Sequence, residues 1–404
     1  MRSYDGYMRV ALLTCAIFVS LGLSDLCARE IVVGSSSEIV KAIANASPGD
    51  TIYILGGRYF FDRRIEIKNS GLADKRIALW SFPGDSIRPL FDFSQMEEKS
   101  SNQGIRLSAN YWHIKGVDVY RAGDNGLLIS GGSRNIIEFC SFVACSDSGL
   151  QLDGGASENL ILNCDSYYNA DSKKENADGF ACKTDVGSGN TFRGCRAWQN
   201  LDDGWDGYLR DTDGVTTRYE NCWAFRNGYL ADGTRGYGDG NGFKTGGSDE
   251  KRLKHHAIYI NCVAAGNAAE GFDHNSNRGN VTLLNCSMHG NKTNLGFGGE
   301  NPVGILTIKN SIVLGPLGKL KADSVVASHN SWQSGFACEE GDFLSVDMSQ
   351  LTRPRKADGS LPDIEYLHLA KESRLIDAGL DVGLPYSGAA PDLGAFEYQG
   401  ENEF

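Results

Sequence analysis

The sequence predicts an all-β chain wound into a parallel β-helix, a solenoid of about 8–10 coils with a short helix capping its N-terminal end. Three observations predict it. Short strings ending in cysteine recur along the chain. A second set of strings, Gly followed by a large apolar residue, precedes them in step. The 50 glycines against 9 prolines supply many turns without a collagen-like or disordered composition. With 404 residues and 41% hydrophobic content the core is ample, and one all-β domain of this length is ordinary.

Arg2 and Arg9 precede the apolar run Val10–Leu23, followed by "SDLCARE". This is the layout of a signal peptide over residues 1–28, too short for a comfortable membrane span and cleaved near Ala28. Asp25 and Leu26 are poor residues before a lipidated Cys27. Residues 29–404 are then read as a single β-helix domain with a C-terminal closing segment, secreted to the periplasm, cell surface or medium as a monomer. The serines before the apolar stripe of Ser35–Ala46 predict the capping helix. "PGDTIYILGGRYF" (Pro48–Phe60) reads as the first strand and turn.

The cysteine strings end at Cys140, Cys164, Cys195, Cys222, Cys262 and Cys286, with Val117 before and Ser311 after them in the same frame. Their intervals are 23, 24, 31, 27, 40, 24 and 25 residues, a unit of 23–25 with insertions. Asn163, Asn221, Asn261, Asn285 and Asn310 stand just before the marker, and Asn169, Asn200, Asn227, Asn267 and Asn291 five residues after it. Such columns suit stacked amide ladders, and small buried thiols suit core filling better than disulfides. In the second set the residues after glycine are Leu127, Leu150, Phe180, Trp205, Phe243, Phe272 and Phe297. All are large and apolar, so this position faces inward and its neighbours face out.

One of these strings lies in "GYGDGNGFKTGG" (236–247), which superficially resembles a phosphate-binding loop. A Walker loop needs Gly directly before Lys-Thr, and Phe243 intervenes. The net charge of -12 also argues against nucleic acid as a partner. Read in register, Asn125, Ser148, Asp178, Asp203, Asn241 and Glu270 share one outward position. Leu128, Gln151, Ala181, Asp206, Lys244 and Asp273 share the next. With coils about 4.8 Å apart, Asp178, Asp203 and Asp206, joined by Asp202 at the bend, converge beside Lys244. Asp-Gly is also ordinary turn chemistry. Stacked carboxylates repel, however, and hard oxygens in that number suit calcium better than a decorative acidic surface. The insertions Ala170–Asn176 and Tyr229–Gly240 flank the same face and would wall a groove there.

The strings "NADGFACK", "NLDDGWDGY", "ENCWAFRNGY" and "GDGNGFKTGG" resemble pectate lyases of polysaccharide lyase family 9, with similarity from about Pro48 onward. The resemblance implies a right-handed β-helix and a pectic substrate. It further implies a calcium ion held by Asp178, Asp202, Asp203 and Asp206, and Lys244 as Brønsted base. The family's usual bulky apolar residues after the last aspartate and after the lysine are replaced by Gly207 and Thr245, with His274 in the next coil. Both face inward in this register and are expected to loosen the packing beneath the site.

The implied reaction is β-elimination on a galacturonate-containing backbone, either polygalacturonate or rhamnogalacturonan I. Calcium would stabilise the developing enolate-like charge and keep Lys244 neutral, so activity should rise at alkaline pH. Candidate cationic partners for the polyanion are Lys183, Arg210, Arg235 and His274, with Lys254, His255 and His256 near the groove; surface solvation competes for each. Two other readings are open from sequence: a β-helical glycoside hydrolase working through paired carboxylates, and a non-catalytic carbohydrate-binding β-helix.

Overall fold

The computed structural model describes residues 28–400 apart from Ser334, Phe336 and Ala337. The predicted signal peptide, with Cys15 and Cys27, lies outside the described residues except for Ala28. Among the described residues, strands stack in three parallel sheets of twelve, ten and ten members, which makes ten complete coils. Each coil visits the twelve-stranded sheet, then the sheet containing Arg196–Trp198, then the sheet containing Phe180–Cys182. That last one carries the candidate site.

The bore is filled by stacked side chains. Phe180, Trp205, Phe243 and Phe272 lie face to face, with centroids 4.9, 4.9 and 4.8 Å apart. The six marker cysteines are buried free thiols. Within the column each Sγ lies near backbone carbonyls, Cys195 at 3.3 Å from that of Ile161 for example. The Asn column five residues on is the amide ladder: Asn169 donates to Asn200 at 2.8 Å, Asn200 to Asn227 at 3.0 Å, Asn227 to Asn267 at 2.9 Å and Asn267 to Asn291 at 2.8 Å. The Asn residues before the marker do something else. Asn163, Asn221, Asn261 and Asn285 hold φ of 51–52°, turning the corner between sheets in a conformation Asn tolerates well. A further ladder, Asn135–Asn159–Asn190, runs five residues ahead of the marker.

The capping helix forms at Ser36–Ala44, with the Ser35 hydroxyl accepting from the Glu38 amide and Ile39, Ala42 and Ile43 buried over the open end of the bore. The first strand is not the one at Thr51–Ile54. Glu30–Val33 precedes it and pairs with it in parallel, a strand hidden in sequence because it sits before the repeat begins. At the other end, Phe343, Leu351, Ile364, Tyr366 and Leu369 of the C-terminal segment pack on Trp198, Trp223 and Phe225, sealing the outer face of the second sheet. Arg355 anchors that segment, donating to Asp165 at 2.7 Å beside Arg196.

Candidate active site

In the site sheet the outward row runs Glu66, Arg106, Leu128, Gln151, Ala181, Asp206, Lys244, Asp273 in successive coils. Strands here are short, only Trp205–Asp206 and Phe243–Lys244 in the central pair. Inward Trp205 and Phe243 turn Asp206 and Lys244 outward in direct register.

One position earlier, side chains and backbone interlock from coil to coil. Asp178 accepts from the Asp203 amide at 3.3 Å and from the Ser148 hydroxyl at 3.0 Å; Asp203 accepts from the Asn241 amide at 2.8 Å. These bonds explain one oxygen of Asp203. Its other oxygen, Oδ2, is buried and makes no hydrogen bond, although Lys244 Nζ is 3.2 Å away. Asp202 accepts from the Asp239 amide. Asp178, Asp202 and Asp203, all buried, each present an oxygen within 4.8 Å of the others. Burial and the Asp178 carboxylate push Asp202 up to about 7, and burial with Asp202 raises Asp203 well above the usual carboxylate range. Three buried carboxylates, of which Asp203 keeps one oxygen without a hydrogen bond, in a place where negative charge is unwelcome suit a divalent cation such as calcium.

Asp206 stands on the flank of this triad. Its Oδ1 accepts from the Tyr208 amide at 3.0 Å and lies 4.0 Å from Lys244 Nζ, while Oδ2 is 3.5 Å from Lys183 Nζ. Burial alone would raise it, but Lys244 and Lys183 overcome that and hold it below its ordinary value. Lys244 is only 8% exposed. Burial disfavours its charge, yet Asp203, Asp206, Asp202 and Asp239 outweigh that and hold it as ammonium without a metal. Asp239, whose carboxylate accepts from Lys244 Nζ at 3.0 Å, joins the site in addition to the residues expected there. The signal was its place in the inserted loop, five residues before the lysine.

The expected substrate cations separate. Lys183 is in the site, bonded to Asp178 at 2.9 Å. Arg210 is on the rim, its side chain 61% exposed and 3.9 Å from Asp249. Arg235 is a loop clamp: its guanidinium donates to the carbonyls of Gly228, Gly236, Gly238 and Asp239. His274 is turned in, bonded at Nδ1 to the Gly296 carbonyl at 2.9 Å. His255, expected near the groove, is buried, because its strand position faces the bore. The packing beneath Gly207 and Thr245 is not loosened either. A Cβ on Gly207 would stand 3.0 Å from His255 Nδ1, so the imidazole fills the space a larger residue would take.

A family model described as Pel9A-like, right handed beta helix region, matches residues 28–310. The chain belongs to this family. Its relatives include pectate lyase L of Dickeya chrysanthemi, 37% identical over 90% of this chain and 86% of that one, and pectate lyase PEL9 of Emericella nidulans, 32% identical over 88% and 93%. The crystal structure of pectate lyase Pel9A superposes with a TM-score of 0.82 at 35% identity, covering 92% of this chain and 96% of that one. A structure named rhamnogalacturonan lyase superposes at 0.74 with 26% identity, covering 85% and 97%. The chain is a right-handed β-helix and a polysaccharide lyase.

Proposed function

We propose that this enzyme cleaves the galacturonate-containing backbone of pectin, polygalacturonate first, by calcium-dependent β-elimination with Lys244 as base. The observation that carries the reading is the pairing of Lys244 with Asp206 next to the buried Asp178–Asp202–Asp203 triad, whose Asp203 Oδ2 lacks a hydrogen bond. Asp178, Asp202 and Asp203 would hold the calcium, with Asp206 completing the set from the flank. Bound there, calcium would draw charge from the uronate carboxylate and make the adjacent C–H more acidic.

Lys244 takes the proton alpha to that carboxylate. The electron pair forms the new C=C bond, the glycosidic C–O bond breaks, and the leaving oxygen takes up a proton. For this Lys244 must be neutral, whereas the surrounding carboxylates hold it charged. Their neutralisation by a cation and an alkaline medium act in the same direction. Lys183 keeps Asp178 and Asp206 in place, and Arg210 at the rim is an exposed cation for a neighbouring uronate. The apolar run ahead of residue 29 and the polymeric substrate together support secretion.

The relatives named pectate lyase, at 32–37% identity, support polygalacturonate over rhamnogalacturonan. The test is incubation with polygalacturonate and with rhamnogalacturonan I, each with calcium or chelator. Expected is ultraviolet-absorbing unsaturated product from polygalacturonate, abolished by chelator. Reducing ends without that absorbance would mean hydrolysis and end the proposal.

A further inference from the structure

The inward column of the site sheet changes character under the active site. Ile67, Leu107, Ile129 and Leu152 stack in register, and the next partner is Cys182. Continuing the register gives Gly207, Thr245 and His274 before the column returns to Phe297 and Leu320. An aliphatic stack is thus interrupted at the positions that follow Asp206 and Lys244. Both strands also end at the functional residue, with one further backbone bond from the Gly207 amide to the Lys244 carbonyl.

A buried polar network takes over from the ladder. His255 reaches across the bore from the twelve-stranded sheet, with Nδ1 2.7 Å from the Gly207 carbonyl and Nε2 2.8 Å from the Thr217 hydroxyl. A carbonyl only accepts, so Nδ1 carries the proton, and in the neutral ring Nε2 accepts from Thr217. The Thr217 hydroxyl in turn lies 3.3 Å from Cys182 Sγ. Asn277 ties His255 to the neighbouring coil. It accepts from the His255 amide at 3.0 Å and donates to the carbonyls of His255 at 2.8 Å and Thr245 at 3.2 Å. Two glycines make room. A Cβ on Gly207 would lie 2.9 Å from the Thr245 oxygen, and one on Gly246 would lie 2.5 Å from Asn277 Cγ.

We propose that His255 is a positioning residue that, with Asn277, fixes the backbone after Asp206 and Lys244 and so sets how the carboxylate and the ammonium face each other. Gly207 is gripped on both sides, its amide by the Lys244 carbonyl at 3.0 Å and its carbonyl by His255. The Tyr208 amide then holds Asp206 Oδ1. Removing the imidazole bond loosens, at Gly207, the segment that aims Asp206, leaving it tethered by the bonds of Tyr208 to Thr184 and of Leu209 to Gly247. The catalytic side of this proposal rests on the lyase reading; the structural side does not.

The test compares His255→Leu, which keeps bulk and loses the donor, with His255→Asn, whose amide can occupy the Nδ1 position. Two readouts are taken: steady-state kinetics on polygalacturonate with saturating calcium, and hydrogen exchange of the full-length protein without substrate. For His255→Leu, kcat should fall about 10- to 100-fold with KM changed less than about threefold, since misplacement by about an ångström costs that much. Amides of residues 205–209 should exchange at least about tenfold faster while distant coils exchange as before. His255→Asn should recover most of both. Unchanged exchange at 205–209, or a kcat loss that tracks a whole-molecule fall in Tm without rescue by Asn, overturns the proposal. If the wild type yields no unsaturated product but exchange at 205–209 responds, the lyase reading fails and the positioning role stands.

Discussion

Lys244 faces Asp206 across adjacent coils, its Nζ 4.0 Å from Oδ1 and 3.2 Å from the unbonded oxygen of Asp203. The same lysine is the expected base and the internal counter-ion of the acids that would bind metal. Those two roles make opposite demands on its charge.

Lys244→Ala should lower kcat by about 10²–10⁴, the range of a positioned general base. It should also tighten calcium binding by roughly tenfold, ~1.4 kcal/mol, because an ammonium that competes with the metal is gone. Titration calorimetry alongside turnover checks both. Weaker calcium binding in the variant would show that the lysine supports the site rather than competing in it.

Calcium affinity should fall as pH drops below about 7. Asp202 sits at about 7 in the folded protein, above its ordinary 3.8, so a proton occupies the site in neutral to mildly acidic solution. Calcium must displace it, at a cost of up to about tenfold in affinity per pH unit and proton. The same raised value stabilises the metal-free fold in acid, and that contribution is lost as pH rises from 3.8 through about 7. Calorimetry from pH 5.5 to 8.5, with Tm in chelator, gives both signs; a pH-independent affinity contradicts the assignment.

Arg235→Ala should leave polymer binding largely intact and reduce kcat. Its guanidinium bonds four carbonyls of the loop that presents Asp239 to Lys244, and it is not free to meet a uronate. Protease nicking confined to 229–240 would accompany the change. A pure KM effect would return Arg235 to the substrate.

Arg355→Ala should destabilise the fold by about 3 kcal/mol, at the lower end for a broken buried pair because Arg196 still meets Asp165. Burial works to raise Asp165, but the two arginines overcome it and hold it below the usual carboxylate range. Its contribution is therefore complete above the unfolded value near 3.8 and is lost as pH falls below it. Denaturant melts at pH 6 and pH 3 should show a smaller difference for the variant than for wild type.

The thiol column should be inert until the protein unfolds. Six stacked cysteines are free and buried, so reductant should not move Tm, and a thiol reagent should modify them only in denaturant. A Tm that drops with reductant would mean disulfides instead.

The sequence by itself determined the winding of this chain and the convergence at its centre. Period-two alternation turns Trp205 and Phe243 inward, so Asp206 and Lys244 must point out one coil apart, and the 23–25 residue repeat stacks Asp178 on Asp203. Such regularity is local, repeated and readable. What only the tertiary structure decided lies off the repeat. Asp239 and Arg235 belong to an inserted loop whose path no periodicity fixes. Glu30–Val33 joins the sheet before the repeat begins. His255 reads as a groove residue until the bore brings the opposite wall within 2.7 Å of Gly207. Contacts across the bore link residues about 50 positions apart through a shared interior, and a pattern that encodes which way each side chain points does not encode what it meets there.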